Sequence, residues 1–358
     1  MTEIEQRRRS VSDQLAGHKI DALIVSSPAN IRYLSGYAGS NGLMLISKTD
    51  EHFFTDPRYG VEASSSITCK VHVCKGPLLT AAAAIVKRKR LRKVGIEPAW
   101  LHVDQYGQLE NAMPAGTTLV AVENLIENLR AIKSAEEIGL IQRSVRANSE
   151  AFQQTMRRVR PGLREREIAA ELEFQMHMAG AEKPAFDTIV ASGPRSALPH
   201  AHPTMHPVGE HELLLVDMGA TLDGYTSDMT RVAFMGEPPK RILSLYNAVS
   251  EAQLAAIDMV REGVKASKVD AAARNVLKAH KLDRAFVHST GHGLGLEIHE
   301  APRIGKKERT RLQAGMVITI EPGAYIEGVG GVRIEDTVLV TAKGCEVMTP
   351  TPKRLFDL

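Results

Sequence analysis

The sequence has few cysteines, no long apolar block and no dominant charge. Cys69, Cys74 and Cys345 are an odd, sparse set in 358 residues. That excludes a disulfide-stapled scaffold and fits a reducing compartment. No apolar stretch approaches the ~20 residues that a membrane-spanning helix needs. The N-terminal stretch opens Met-Thr-Glu-Ile-Glu-Gln-Arg-Arg-Arg and reads as a helix, without the apolar core of a secretory signal. The expectation is a cytoplasmic protein with no membrane partner. Net charge is +3, which is mild. Only the run Lys87-Arg-Lys-Arg-Leu-Arg-Lys93 points toward an acidic partner. Cations that close a helix are favoured by its dipole, and no aromatic or glycine pattern accompanies these, so the run reads as a solvated face and nucleic acid is not expected.

What is present suffices for two domains with cores of their own, since 43% of the residues are hydrophobic and 24% charged. Residues 1–125 alternate helix and strand patterns. A helix over Ile4–Ala16 leads to strands at Ala22–Ser26, Leu43–Ser47 and His52–Thr55, then a helix over Thr80–Lys89 and a strand at Lys93–Glu97. Cys69 and Cys74 flank the Val71, Val73 alternation and read as strand residues. Residues 126–358 form the second domain. Ser134-Ala-Glu-Glu137 is a capping box for a long helix to Val159, which Pro161-Gly162 stops. A second helix to Ala179, a strand over Phe186–Ser192, a helical pair between Pro239 and Ala279 and a strand-rich end follow.

The chemistry is concentrated in this second part. Ser289-Thr-Gly-His292-Gly-Leu-Gly-Leu-Glu-Ile-His299-Glu-Ala-Pro302 lies between two pairs of acids, Asp217 and Asp228 upstream, Glu321 and Glu335 downstream. The Asp223-Gly224 pair signals a hairpin turn that sets Asp217 opposite Thr230 and diagonal to Asp228 on one sheet face. A second hairpin is expected from Met316–Glu321 and Val332–Val340 around a glycine-rich turn, with Glu321, Arg333 and Glu335 of one parity. Four carboxylates gathered without cations would repel one another, and one at least would take up a proton. Two divalent ions balance them. Carboxylate and imidazole ligands without thiolate suit manganese, cobalt, iron or zinc.

The order Asp, Asp, His, Glu, Glu, with Gly-His-Gly-Leu-Gly and Arg-Ile-Glu-Asp, resembles the pita-bread metallopeptidases (family M24), which include methionine aminopeptidase, aminopeptidase P and prolidase. Ser196-Ala-Leu-Pro-His200, Gly224-Tyr-Thr-Ser-Asp-Met-Thr-Arg231 and Gly331-Val-Arg-Ile-Glu-Asp336 are similar to the proline-peptidase branch. Tyr33-Leu-Ser-Gly-Tyr-Ala-Gly-Ser40 and Thr55-Asp-Pro-Arg-Tyr59 resemble the creatinase-type N-terminal domain of aminopeptidase P. The likeness spans nearly the whole chain.

The resemblance implies an α/β (α+β) architecture, a creatinase-like domain followed by a pita-bread catalytic domain with pseudo-twofold halves. It implies two divalent metal ions per subunit, manganese first, held by Asp217, Asp228, His292, Glu321 and Glu335. The implied reaction is hydrolysis by a metal-bridging hydroxide, with Glu321 as general base, His299 stabilising the oxyanion and His200 positioning the substrate. His288, Tyr325 and Arg333 match positions beside the substrate. The activity expected first is an Xaa-Pro aminopeptidase acting on short peptides with proline second. The alternative is an Xaa-Pro dipeptidase (prolidase), and further behind stand a methionine aminopeptidase and a non-catalytic pita-bread binding protein. A homodimer or higher homo-oligomer is implied as well.

Overall fold

A computed structural model describes residues 1–357, which divide into a compact unit Met1–Arg130 and a second unit from Ala131 onward. The first unit is built on a six-stranded mixed sheet in the order Lys70–Val73, Glu51–Thr55, Gly42–Ser47, Ala22–Val25, Lys93–Ile96, Thr118–Ala121. The central strand Ala22–Val25 is buried throughout, which explains its unbroken apolar run. Helices absent from the sequence reading, Pro28–Ser35, Gly60–Ser66, Val103–Ala112 and Leu125–Arg130, complete the unit. Pro28–Ser35 starts from a Ser27 cap with proline in its first turn and stops at Gly36, whose φ of 74° a side chain would resist. Cys69 and Cys74 fall just outside the strand Lys70–Val73, a correction of one residue at each end. The two N-terminal motifs meet: Asn41 Nδ2 donates to Asp56 Oδ2 at 2.6 Å, and the Ser40 and Tyr59 hydroxyls share a hydrogen bond of 2.6 Å.

The second unit repeats one plan. Helices Ala135–Met156 and Glu165–Met178 precede the antiparallel strands Ile189–Ser192, Leu213–Met218 and Met229–Phe234; helices Lys240–Met259 and Ala266–Ala279 precede Gly291–Gly293, Glu300–Ile304, Val317–Ile320 and Asp336–Val340. The long first helix starts at the Ser134 capping box, whose Oγ accepts from Glu137 N at 3.2 Å. On Lys240–Met259 the buried positions Ile242, Leu245, Tyr246, Val249, Ala252, Gln253 and Ala256 trace the stripe of a helix against a sheet. The expected strand over Phe186–Ser192 is shorter, Ile189–Ser192, because Phe186 and Asp187 turn toward a cavity.

Candidate active site

Asp217 and Asp228 are placed by a hairpin. Asp223 and Gly224 both have positive φ, 49° and 81°, as a tight two-residue turn demands, and Asp217 pairs with Thr230 across the strands. The second expected hairpin is broken in two. Val317–Ile320 pairs with Asp336–Val340, and beyond Pro322 the chain forms a separate ribbon, Gly323–Ile326 with Gly330–Arg333. Glu321 and Glu335 sit at the two breaks, where they leave the ladder. The hairpins are joined at Glu335: its amide donates to the Thr230 carbonyl at 3.2 Å, and the Thr230 hydroxyl donates to Glu335 Oε2 at 2.7 Å.

His292 sits mid-strand between glycines, and the reason is steric. A Cβ on Gly291 would lie 1.9 Å from the Thr319 carbonyl oxygen, one on Gly293 2.3 Å from that of Ala301, and one on Gly295 2.8 Å from the Glu300 carboxylate. His292 Nδ1 lies 3.0 Å from the Gly293 carbonyl, so that nitrogen carries the proton and Nε2 faces Asp228 Oδ2 at 3.5 Å and Glu321 Oε1 at 3.4 Å. The His299 ring stands edge-on to His292, centroids 4.4 Å apart.

Behind the acids lies a polar network. Arg333 Nη2 donates to Asp217 Oδ2 at 2.5 Å, Nε to Thr230 at 2.9 Å and Nη1 to the Tyr325 hydroxyl at 2.7 Å. Tyr325 in turn meets His288 Nε2 at 2.8 Å. The His288 segment is held by Arg274, which donates to the carbonyls of Phe286 and His288 and pairs with Asp270.

The acids and histidines border a cavity of about 660 Å³. Asp217, Asp228, His292, Glu321, Glu335, His200, His288, His299 and Arg333 line it; Tyr325 does not, and stands behind His288 and Arg333. Phe186, Asp187, His202 and Arg303 also line the cavity. None of these four is among the residues that the sequence motifs bring forward. Arg303 lies on the strand Glu300–Ile304, four positions after His299.

Electrostatically the floor is strained as it stands. Burial, reinforced by Asp217, pushes the Asp228 carboxyl up to about 7 against the pull of His292. Burial also raises Glu335, together with the neighbouring acids, and Glu321. His292 is raised to about 9: burial opposes its charge, but Asp228 and Glu321 outweigh it. His299 is lowered by burial and then by His292 and His200. Oδ1 of Asp217, Oδ1 of Asp228 and Oε1 of Glu335 are buried without a hydrogen-bond partner. One ligand atom each of Asp228, His292 and Glu335 falls within 4.8 Å of the others. Orphaned buried carboxylate oxygens on residues that share the cavity with an imidazole nitrogen fit divalent cations, which would satisfy both the orphaned atoms and the excess negative charge.

The site is thus of the carboxylate–histidine metal-binding kind, set in an open cavity between paired hairpins. Residues 139–342 match metallopeptidase family M24, and residues 7–132 match the creatinase/prolidase N-terminal domain. The Xaa-Pro dipeptidase of Pyrococcus furiosus is 38% identical over 341 residues, covering 95% of this chain and 96% of that one. The structure of an Xaa-Pro dipeptidase from Bacillus anthracis superposes with a TM-score of 0.97 at 36% identity, covering 99% and 100% of the two chains. That of an X-Pro aminopeptidase from Thermotoga maritima gives 0.91 at 34% identity, covering 97% and 99%. The chain belongs to metallopeptidase family M24 and is a hydrolase with a creatinase/prolidase N-terminal domain and a pita-bread domain.

Proposed function

We propose that the protein is an Xaa-Pro dipeptidase, using two divalent ions, manganese first, held by Asp217, Asp228, His292, Glu321 and Glu335. The observation that carries this reading is the pairing, in one cavity, of three orphaned carboxylate oxygens on the floor with Arg303 on the wall. Of the two arginines lining the cavity, Arg333 is committed to Asp217, Thr230 and Tyr325, whereas Arg303 is exposed. An exposed guanidinium suits the free carboxylate that a dipeptide presents next to the scissile bond. The named relatives support the same choice over the aminopeptidase expected first. The aminopeptidase reading keeps the support of the Thermotoga neighbour.

Bound divalent ions supply positive charge that makes water nucleophilic at neutral pH and polarises the scissile carbonyl. The chain's own residues do the rest. Glu321, whose Oε1 lies 3.4 Å from His292 Nε2 at the edge of the cavity, accepts the proton lost by the attacking water and passes it to the proline nitrogen as the bond breaks. His299, kept neutral, donates its N–H to the carbonyl oxygen as negative charge develops there. His200 and His288 orient the peptide, and Arg333 with Tyr325 holds Asp217 in place. A proline nitrogen offers no N–H, so the ring must be held by shape, and Phe186 and Ile189 provide apolar wall. By the same reading the protein is a homo-oligomer acting in the cytoplasm.

Reconstitution with manganese, cobalt or zinc and comparison of Xaa-Pro, Xaa-Pro-Yaa and Xaa-Ala substrates tests this. Dipeptides with proline second should be preferred by about tenfold or more over the tripeptides, since the charge-assisted contact between the free carboxylate and Arg303 is lost when the carboxylate is blocked. Faster cleavage of Xaa-Pro-Yaa, with Arg303→Ala neutral on it, would establish the aminopeptidase reading instead.

A further inference from the structure

His299 makes no hydrogen bond of its own among the described residues. Its ring is aimed by edge-on packing against His292 and by its own backbone, and that backbone belongs to the turn Gly295–Glu300. The turn is tied at both ends. The Thr226 amide and hydroxyl donate to the Gly295 carbonyl at 2.7 and 3.0 Å, and Gly295 N donates to the Glu297 carbonyl at 3.0 Å. At the other end Glu300 Oε1 accepts the Glu297 amide at 3.1 Å, folded so closely over Gly295 that a Cβ there would lie 2.8 Å from the carboxylate.

The Glu300 carboxylate is itself held from outside the turn. Lys133 Nζ lies 3.1 Å from Glu300 Oε2, with the two side chains only 1% and 5% exposed. The Lys133 amide donates to the Gly315 carbonyl at 2.9 Å, fixing its stem to the segment that leads into Val317–Ile320. A buried ion pair is a poor source of stability, because desolvation of both charges offsets their attraction, so its presence one residue from His299 calls for another role.

We propose that Lys133 is a positioning residue for His299, acting through the Glu300 carboxylate that closes the turn Gly295–Glu300. The proposal rests on His299 being the substrate-facing imidazole. Without Lys133 the carboxylate has reason to leave for water, the Glu297 amide loses its acceptor and His299 drifts. A displacement of about 1 Å in a catalytic group can cost on the order of a hundredfold in rate.

The test is a cycle of Lys133→Met and His299→Ala in the metal-loaded protein, with Lys133→Met/Glu300→Gln beside it. Lys133→Met should lower kcat on Ala-Pro by about 10- to 100-fold with KM and metal content unchanged. In the His299→Ala background it should cost no more than about twofold, because the group it aims is gone. The Lys133→Met/Glu300→Gln pair, which leaves no lone buried charge, should recover most of the loss. Equal losses in both backgrounds, or normal turnover by Lys133→Met, would overturn the proposal. Amide hydrogen exchange supplies a readout independent of turnover: exchange over residues 294–300 should speed up selectively in Lys133→Met. If the wild-type protein fails to cleave Xaa-Pro substrates, the functional reading falls, whereas unchanged exchange sinks the Lys133 link itself. Should Lys133→Met not fold, Glu300→Gln takes its place in the cycle with the same expected signs.

Discussion

Thr230 and Glu335 are joined twice, backbone to backbone at 3.2 Å and hydroxyl to carboxylate at 2.7 Å. This double link fastens the hairpin bearing Asp217 and Asp228 to the strand pair bearing Glu321 and Glu335. Thr230 is fully buried, so its hydroxyl serves the site and not solvent. Replacing Thr230 by Val should keep the packing, leave Glu335 Oε2 and Arg333 Nε each without a partner, and cost about 1–3 kcal/mol. Metal affinity should fall roughly 10- to 100-fold, as for other groups that orient a ligand. Chemical denaturation and metal titration read the two effects separately.

Asp228 presents one oxygen to His292 and keeps a second, Oδ1, buried without a hydrogen-bond partner. Asp228→Ala should empty at least part of the metal centre and lower Xaa-Pro turnover by about a thousandfold or more, since the carboxylates around it then lack a shared cation. Elemental analysis after dialysis checks the first effect and steady-state kinetics the second. Retained metal with normal turnover would remove Asp228 from the proposed ligands.

Gly291→Ala tests the close approach that puts His292 in place. The new Cβ would meet the Thr319 carbonyl oxygen at 1.9 Å, and a strand backbone cannot yield as a flexible side chain can. A loss of roughly 1–3 kcal/mol or more in stability is expected. Gly139→Ala, where no atom lies within 4 Å of the new Cβ, should be neutral or stabilising.

Much of this site was legible in the sequence because its parts are local. Asp223-Gly224 signals its own turn, and strict alternation then fixes which way Asp217 and Thr230 point. The glycines around His292 announce crowding before the neighbours are known. What crowds them was not legible, because Thr319, Ala301 and Glu300 reach those glycines through pairing between distant strands. Lys133 and Glu300 are 167 positions apart, and no local pattern couples them. The break after Ile320 was missed because parity alone treats Met316–Glu321 as one strand, whereas Pro322 cannot donate to a ladder. The short helices of the first unit escaped for a different reason. Pro28–Ser35 spans eight residues, too few for a clear apolar period, though Ser27 and Pro28 carry its start signal.

The first unit carries a pH response of its own. His52 and His72 share a 2.9 Å hydrogen bond, and His52 Nε2 is buried without a partner. Burial, then the neighbouring His72, lowers His52 to about 4, with Lys70 and Arg88 adding to the effect and Asp50 opposing it. The folded state therefore prefers neutral His52 and the unfolded state takes up the proton first. Stability from this group is fully present above about pH 6.5 and is lost as pH falls from there toward 4, on the order of 1 kcal/mol per pH unit. Denaturation of wild type and His52→Gln across pH 7 to 4.5 should show a shallower slope in the variant. Parallel slopes would contradict the assignment.

Asp217, Asp228, His292, Glu321 and Glu335 are proposed to bind divalent metal for Xaa-Pro dipeptide hydrolysis. Titration of metal-free protein with manganese, following bound metal and Ala-Pro turnover in the same samples, tests this. Turnover should be negligible without metal and rise with occupancy toward two ions per chain, and His292→Ala should reach neither that uptake nor that turnover. Full turnover by the metal-free protein, or metal uptake unaffected by His292→Ala, would contradict it.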